Sequence, residues 1–281
     1  MPELPEVETV CRGLAPVVQG GVIDRLEVNR KDLRFPFPSG FHKRVQGARV
    51  QRLRRRAKFL IAELDRGDAL IMHLGMSGRF TINSAATAHF HHAQAPNPAH
   101  DHVVFHMQGG ARITYNDPRR FGFMELWPLC DMADYPRLRD LGPEPLGNHF
   151  STAYLDTRLA GKLAPAKAAL LDQSVIAGLG NIYVCEALFR AGISPRRQAR
   201  SLPGKRNARL VPAINAVIGD AIAAGGSSIS DFSNASGELG YFQNAFQVYD
   251  REGAPCVRCG TTIKRIVQSG RSTFFCSQCQ R

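Results

Sequence analysis

The first twenty residues place apolar side chains at helical spacing. The recurring positions are Val7, Val10, Leu14 and Val17. Two glycines at 20 and 21 then interrupt the pattern, which is typical of a helix end. Pro5 is compatible with a first helical turn, and the acidic residues after it favour the positive end of a helix. The pattern therefore predicts one helix that begins almost at the N-terminus.

From residue 22 to residue 127 the pattern changes to short apolar runs separated by turns. Regularly spaced short strands of this kind predict an antiparallel β-sandwich or barrel. The predicted strands are 22–30, 48–55, 59–64, 69–74, 103–107, 112–115 and 121–127. The stretch 83–99 is rich in Ala, His and Pro, so we expect a surface loop there. Metal binding by its histidines at 89, 91 and 92 is the alternative.

Beyond about residue 150 the pattern turns helical. The predicted helices are 155–163, 166–171, 181–191 and 207–224. A loop rich in Ser and Gly follows at 225–241, and the last thirty residues form a module with four cysteines. We therefore expect an α+β protein with an N-terminal β-sandwich domain over 1–148, a helical domain over 149–240 and a C-terminal module over 241–281.

The balance of charged residues indicates the kind of partner that the protein binds. The chain carries 36 Lys and Arg against 24 Asp and Glu, a formal net charge of +12. This excess indicates a polyanion, with nucleic acid first and an anionic membrane surface second. No run approaches the ~18 apolar residues of a spanning helix, and the N-terminal sequence does not resemble a secretion signal. We therefore expect a cytoplasmic protein without membrane attachment.

The last four cysteines form two CxxC pairs. Cys256 and Cys259 are followed, after sixteen residues, by Cys276 and Cys279. Two such pairs supply four thiolates to a tetrahedral Zn²⁺ ion, which would carry the folding of a module too small for an apolar core. We expect one structural zinc; disulfides or an iron–sulfur cluster are the alternatives. Four basic residues on the module suit DNA phosphates, or simply a solvated face: Arg258, Lys264, Arg265 and Arg271.

The N-terminus offers a nucleophile. Removal of Met1 before the small residue Pro2 would expose a secondary amine. The pKa of an α-amino group is ~8 against ~10.4 for lysine, so its neutral fraction at neutral pH is on the order of several hundredfold larger. Attack of this amine on a sugar C1′ gives an iminium ion, which promotes elimination of phosphate. Glu3 is the neighbouring candidate acid or base. Alternatively, Pro2 and Glu3 have only a structural role as the residues that precede the first helix.

A series of motifs resembles the formamidopyrimidine-DNA glycosylase (Fpg) family. The motifs follow the family's order over nearly the whole chain, so the joint match is highly specific. They are PELPEVET at 2–9, RRAK at 55–58, HLGMSG at 73–78, HDHV at 100–103, DPRRFG at 117–122, LGPEPL at 141–146, GLGNIY at 178–183 and the four-cysteine ribbon. The resemblance implies that the helical domain is a helix–two-turn–helix domain and that the C-terminal module is a zinc-ribbon hairpin.

The resemblance also implies a bifunctional enzyme that excises oxidised purines from duplex DNA and cleaves the abasic site. Pro2 would be the Schiff-base nucleophile, and Glu3 would assist opening of the deoxyribose ring. Lys58 would assist β-elimination and contact the flanking phosphates. Arg271 would assist δ-elimination and grip DNA. Solvated surface charges are the alternative for both cations.

Met76, Arg119 and Phe121 match the family's residues that fill the void left by an extruded nucleotide. An apolar wedge and a ring replace the lost base contacts, and a planar guanidinium can hydrogen-bond the orphaned cytosine. Ordinary core packing is the alternative for Met76 and Phe121.

His100, Lys162 and Asn181 fall where family members contact DNA. Asn181 follows a glycine-rich turn, so it is expected to bind phosphate and to cap the helix that follows. The family's lysine run near Lys162 is interrupted here, so Lys167 is expected to share that contact. The loop 225–241 corresponds to the segment that closes over the flipped base, with a plain linker as the alternative.

Two other functions fit parts of the pattern. An endonuclease VIII type of glycosylase prefers oxidised pyrimidines, but the opening sequence and the complete void-filling set favour the purine enzyme. A non-catalytic zinc-ribbon protein that binds DNA or RNA would not need Pro2, Glu3 and Lys58. We expect a monomer that binds double-stranded DNA containing oxidised purines or abasic sites, and that associates with the nucleoid in this way.

Overall fold

The computed structural model describes residues 2–83, 97–227 and 240–281. The chain divides into two compact units. The first contains Met1–Arg139 and Gly225–Tyr241, and the second contains Asp140–Ala224 and Phe242–Arg281. Within the described ranges, none of the helices combines the length and apolarity needed to span a bilayer. The predicted domain limits at 148 and 240 stay a prediction.

The first unit begins with helix α1 (Leu4–Val18). Its apolar face, including Val7, Val10 and Leu14, is buried, as the spacing predicted. A proline in the first turn and an acidic residue there agree with the expected start. A short helix, α2 (Phe41–Val45), was not predicted from the sequence.

Two four-stranded antiparallel sheets follow. One has the order β1-β6-β7-β5 and the other the order β2-β3-β4-β8. Their bounds are β1 Ile23–Val28, β2 Val50–Arg56, β3 Phe59–Leu64, β4 Asp68–His73, β5 Arg79–Asn83, β6 Asp101–Met107, β7 Arg112–Asn116 and β8 Phe123–Pro128. Buried side chains of both sheets and of α1 form one apolar core. The predicted sandwich is therefore confirmed, and among the strands in the described ranges β5 alone was not predicted.

Two chain crossings between the sheets lie side by side. The β4–β5 connection spans residues 74–78, and the β7–β8 connection spans residues 117–122. They are neighbours because β4 pairs with β8 and β5 pairs with β7: His73 is opposite Phe123, and Arg79 is opposite Asn116. The topology therefore brings together two short loops that are about forty residues apart in the chain.

The second unit is helical and ends in a hairpin. Its helices are α3 Thr152–Leu159, α4 Ala166–Leu171, α5 Asn181–Arg190 and α6 Asn207–Ala223. Strands β9 (Lys264–Gln268) and β10 (Arg271–Phe275) pair in an antiparallel hairpin. Helix α3 ends before the predicted residue 163, because Ala160 leaves the helical conformation with a ψ of 130° and Gly161 after it has a φ of 71°. The predicted α+β fold is confirmed.

Candidate functional site

Pro2 and Glu3 lie buried at the start of α1. The carboxylate of Glu6, in the first helical turn, accepts the backbone N–H of Glu3 at 2.8 Å. Its other oxygen accepts the backbone N–H of Ser227 at 2.8 Å and the Ser227 hydroxyl at 3.0 Å. From the sequence, Glu6 was expected only to favour the start of the helix, although it stands three positions after Glu3. The loop 225–241, predicted to close over the flipped base, includes this contact, but its residues 228–239 lie outside the described ranges.

Lys58 occupies the tight turn between β2 and β3. Ala57 before it has a φ of 50°, in the left-handed region that non-glycine residues seldom adopt. Lys58 itself is buried, with 7% of its surface exposed. The neighbouring Arg55 pairs with Glu8 of α1 at 2.7 Å. This ion pair fixes the turn that carries Lys58 against the helix that follows Pro2.

Met76, Arg119 and Phe121 lie on the two adjacent crossings. Met76 and Phe121 each expose 41% of their surface, so ordinary core packing is excluded for both. The Arg119 guanidinium lies 5.0 Å from the centre of the Phe121 ring. A groove of about 680 Å³ opens beside them and is lined by these three residues together with Arg34, Phe35 and His73. His100 lies close to the second crossing, since its carbonyl accepts the N–H of Asp117 at 3.1 Å.

His73 was not singled out by sequence analysis, although its motif was. Burial, aided by the positive charges of Lys58, Arg34 and Arg137, lowers its pKa to about 4. The ring is therefore neutral near pH 7, and its Nδ1 accepts the N–H of Gly75 at 3.0 Å. Nε2 consequently carries the proton and is a hydrogen-bond donor.

Two expectations for the second unit are corrected by the structure: the helix-cap role of Asn181 and the phosphate contact of Lys167. Asn181 is not the helix cap: Gly180 is, and the Asn181 amide instead donates to the carbonyl of Ser272 at 3.0 Å. Lys167 is only 1% exposed, and its ammonium donates to Ser272 O at 2.7 Å and to Thr273 Oγ1 at 2.8 Å. Lys167 is therefore buried and is not available to contact the phosphates of DNA. The two residues fix the strand that begins with the exposed Arg271.

Lys162 is 36% exposed and lies 3.8 Å from Asp172, a weak pair that leaves its ammonium accessible. Two of the four basic ribbon residues make contacts within the second unit: Arg265 donates to the Ser272 hydroxyl at 3.0 Å, and Arg258 contacts the end of α5. The Arg258 guanidinium stacks 4.4 Å from the Phe189 ring and donates to the Phe189 and Arg190 carbonyls at the end of α5. A cation there stabilises the negative end of the helix.

The four cysteine sulfurs lie within 4.8 Å of one another: Cys256, Cys259, Cys276 and Cys279. Four thiolates at this separation fit a tetrahedral Zn²⁺ ion, so the donor set suits the predicted structural zinc. Gln280, directly after the last ligand, is buried and donates to Ile193 O at 2.9 Å, and its own carbonyl oxygen accepts the N–H of Cys276 at 2.9 Å. The metal module is thus joined to the loop after α5.

Three family models match the chain in order. They are the formamidopyrimidine-DNA glycosylase N-terminal domain at residues 1–124, the formamidopyrimidine-DNA glycosylase H2TH domain at 141–233, and the zinc finger found in FPG and IleRS at 253–281. The formamidopyrimidine-DNA glycosylase of Ruegeria pomeroyi is 58% identical over 283 residues, and that of a Bradyrhizobium strain is 57% identical over 293 residues. Both alignments cover all of this chain and all of the relative.

Solved structures agree. The Thermus thermophilus MutM (Fpg) protein superposes with a TM-score of 0.86 at 39% identity and covers 99% of this chain and 98% of its own. A Lactococcus lactis Fpg mutant, in complex with DNA containing Fapy-dG, gives 0.88 at 34% identity with full coverage of both chains. These matches span the sandwich, the helical region and the cysteine module together. The chain therefore belongs to the formamidopyrimidine-DNA glycosylase family.

Proposed function

We propose that this protein is a bifunctional DNA glycosylase and abasic-site lyase that excises oxidised purines, namely 8-oxoguanine and formamidopyrimidines, from duplex DNA. One observation carries the proposal: Pro2 and Glu3 are buried together at the positive end of α1. Membership of the family supports it, as do the Fapy-dG and 8-oxo-G DNA bound by structural neighbours.

Pro2 is the nucleophile once Met1 has been removed. Its nitrogen attacks C1′ of the damaged nucleotide, the bond from C1′ to the base breaks, and the base leaves with that electron pair and takes up a proton. Glu3 protonates O4′ as the deoxyribose ring opens, which leaves an iminium ion between the proline nitrogen and C1′. Because the nitrogen is secondary, this ion has no N–H proton to lose and remains an electron sink.

Two eliminations follow from the iminium ion. Loss of the C2′ proton breaks the C3′–O3′ bond and releases one phosphate, and Lys58 assists this step. Loss of the C4′ proton then breaks the C5′–O5′ bond, with Arg271 assisting departure of the second phosphate. Water finally hydrolyses the iminium and returns Pro2 to its free amine. The buried turn at Lys58 and the anchored strand after Arg271 support these assignments.

The exposed Met76, Arg119 and Phe121 enter the space of the extruded nucleotide. The apolar side chains replace base stacking, and the Arg119 guanidinium binds the orphaned cytosine. His100, Lys162 and Asn181 contact DNA phosphates. The accessible ammonium of Lys162 supports its contact with a phosphate. The position of Asn181 at the start of α5 supports the same for Asn181.

One structural zinc on the four cysteines holds the hairpin that carries Arg271. The protein acts as a monomer on double-stranded DNA with oxidised purines or abasic sites, and it is cytoplasmic and associated with the nucleoid through this binding.

Borohydride trapping tests the function. Reduction of the iminium ion on abasic-site DNA should give a covalent adduct whose peptide map places the DNA on the Pro2 nitrogen. A binder without catalysis gives no adduct. In the same assay, faster trapping on 8-oxoguanine than on thymine-glycol duplexes is expected, and the reverse order would assign an endonuclease VIII type of activity.

A further inference from the structure

A buried carboxylate lies beneath the two crossings that carry the void-filling residues. Asp117 is fully buried at the start of the β7–β8 crossing. Its Oδ1 accepts the Ser77 hydroxyl at 2.6 Å, and its Oδ2 accepts the Gly122 N–H at 2.9 Å and the Tyr115 hydroxyl at 3.2 Å. A desolvated carboxylate with three donors is a strong polar anchor.

Ser77 extends this anchor to the arginine. While its proton points to Asp117, its oxygen accepts the backbone N–H of Arg119 at 3.2 Å. The hydroxyl therefore joins the residue after Met76 to the backbone of Arg119 across the two crossings. Ser77 is itself buried, with 5% of its surface exposed, so water does not compete for these bonds.

The backbone around this chain of bonds has little freedom. A β-carbon at Gly75 would overlap the backbone of Phe121, and one at Gly122 would overlap the Tyr115 hydroxyl. Asp117 O also accepts the N–H of Arg120 at 3.2 Å, which closes a turn around Pro118 and Arg119. The backbones of the two crossings are thus in direct contact. Their exposed side chains therefore extend from a rigid backbone.

We propose that Ser77 and Asp117 are positioning residues for recognition of the base opposite the lesion. The inference rests on the proposed function, in which Arg119 binds the orphaned cytosine. Arg119 has a long flexible stem, and a bidentate guanidinium contact discriminates between bases only if its origin is fixed. The Asp117–Ser77–Arg119 chain fixes that origin relative to Met76.

The proposed positioning role affects recognition of the opposite base and not the lyase chemistry. Ser77 and Asp117 lie beneath the wedge, and neither belongs to the set assigned to Schiff-base chemistry. Loosening Arg119 should therefore reduce discrimination between orphaned bases while the lyase reaction on a preformed abasic site continues. A merely structural role would instead lower both activities in parallel with the folded fraction.

The test is single-turnover excision of 8-oxoguanine paired with cytosine and with adenine, using the full-length Ser77→Ala protein. We expect the cytosine-to-adenine rate ratio to fall about fivefold or more, because one hydrogen-bonded link is lost. Borohydride trapping on abasic DNA should stay within about twofold of wild type. Tyr115→Phe is the matched control, since it removes another hydroxyl from the same carboxylate but leaves the link to Arg119; its ratio should be unchanged.

The Arg119→Ala variant distinguishes failure of the positioning role of Ser77 from failure of the assigned contact between Arg119 and cytosine. If Arg119→Ala lowers the ratio and Ser77→Ala does not, the positioning role is overturned while the proposed function stands. If Arg119→Ala leaves the ratio unchanged, the assigned contact with cytosine is wrong and the inference falls with it. Equal losses of ratio in Ser77→Ala and Tyr115→Phe would also overturn the inference, since general loosening of the carboxylate would then explain both.

Discussion

The ammonium of Lys167 lies 2.7 Å from the backbone carbonyl of Ser272, although the two residues are 105 positions apart. The same ammonium donates to Thr273 Oγ1, and the Asn181 amide donates to the same carbonyl. A lysine on α4 and an asparagine on α5 thus converge on the strand that begins with Arg271. The strand that carries Arg271, the residue assigned to the second elimination, is therefore anchored from within its own unit.

We therefore expect Lys167→Met to change the products of strand cleavage. Loss of a charged donor from buried acceptors should lower the free energy of unfolding by about 2–3 kcal/mol. It should also free the strand after Arg271, so that δ-elimination falls relative to β-elimination. Gel analysis of the cleaved ends, with the exposed Lys205→Met as control, measures this ratio. An unaltered product ratio would contradict the anchoring role.

Pro2→Gly should reduce base excision and lyase activity by about a hundredfold or more while duplex binding is retained. A glycine offers a primary amine, whose imine must first be protonated before it can withdraw electrons from C2′. Single-turnover rates and borohydride trapping measure the loss, and Pro136→Gly at an exposed position is the control. Wild-type rates in Pro2→Gly would remove the proline nitrogen from the mechanism.

Cys259→Ser should lose the bound zinc and weaken DNA binding. Structural zinc supplies about 10–16 kcal/mol in small zinc modules, so the hairpin should not keep its conformation without the metal. Metal analysis of the purified protein and a salt series of duplex affinity are the measurements. Cys130→Ser is the matched control, because Cys130 is exposed and lies outside the four-cysteine cluster. Normal affinity in a zinc-free Cys259→Ser protein would refute the expectation.

His73 should make folding stability sensitive to mild acid. Its pKa falls from 6.5 in the unfolded chain to about 4 in the folded protein because of burial and nearby cations. Its contribution is present above pH 6.5 and is lost as the pH falls towards 4, since only the unfolded chain takes up the proton in that window. At pH 5 the free energy of unfolding should be lower by about 2 kcal/mol from this effect.

The His73→Asn variant isolates this contribution, because its amide can still accept the Gly75 N–H but does not titrate. Urea unfolding of both proteins at pH 7 and pH 5 gives the comparison. The wild type should lose more stability than the variant between these values. Parallel pH curves for the two proteins would show that His73 titrates normally in the folded state.

Much of the local structure follows from the sequence alone. Apolar spacing is a property of neighbouring residues, so α1 and seven of the eight sandwich strands were predictable. Strand β5 was missed because Arg79–Asn83 has only one fully buried side chain and leads into a stretch rich in Ala and His. The zinc cysteines were predictable for a similar reason, since metal geometry fixes their spacing.

Long-range partners were not predictable, because they depend on which strands pair and which helices meet. No local pattern distinguishes the buried Lys167 from the accessible Lys162, or shows that Arg258 closes the end of α5. The local pattern of residues was sufficient to predict most elements, the cysteine ligands and the candidate chemistry. The hydrogen bond between Ser77 and Asp117, beneath Met76 and Arg119, depends instead on the folded chain, because pairing of β4 with β8 and of β5 with β7 brings those crossings together.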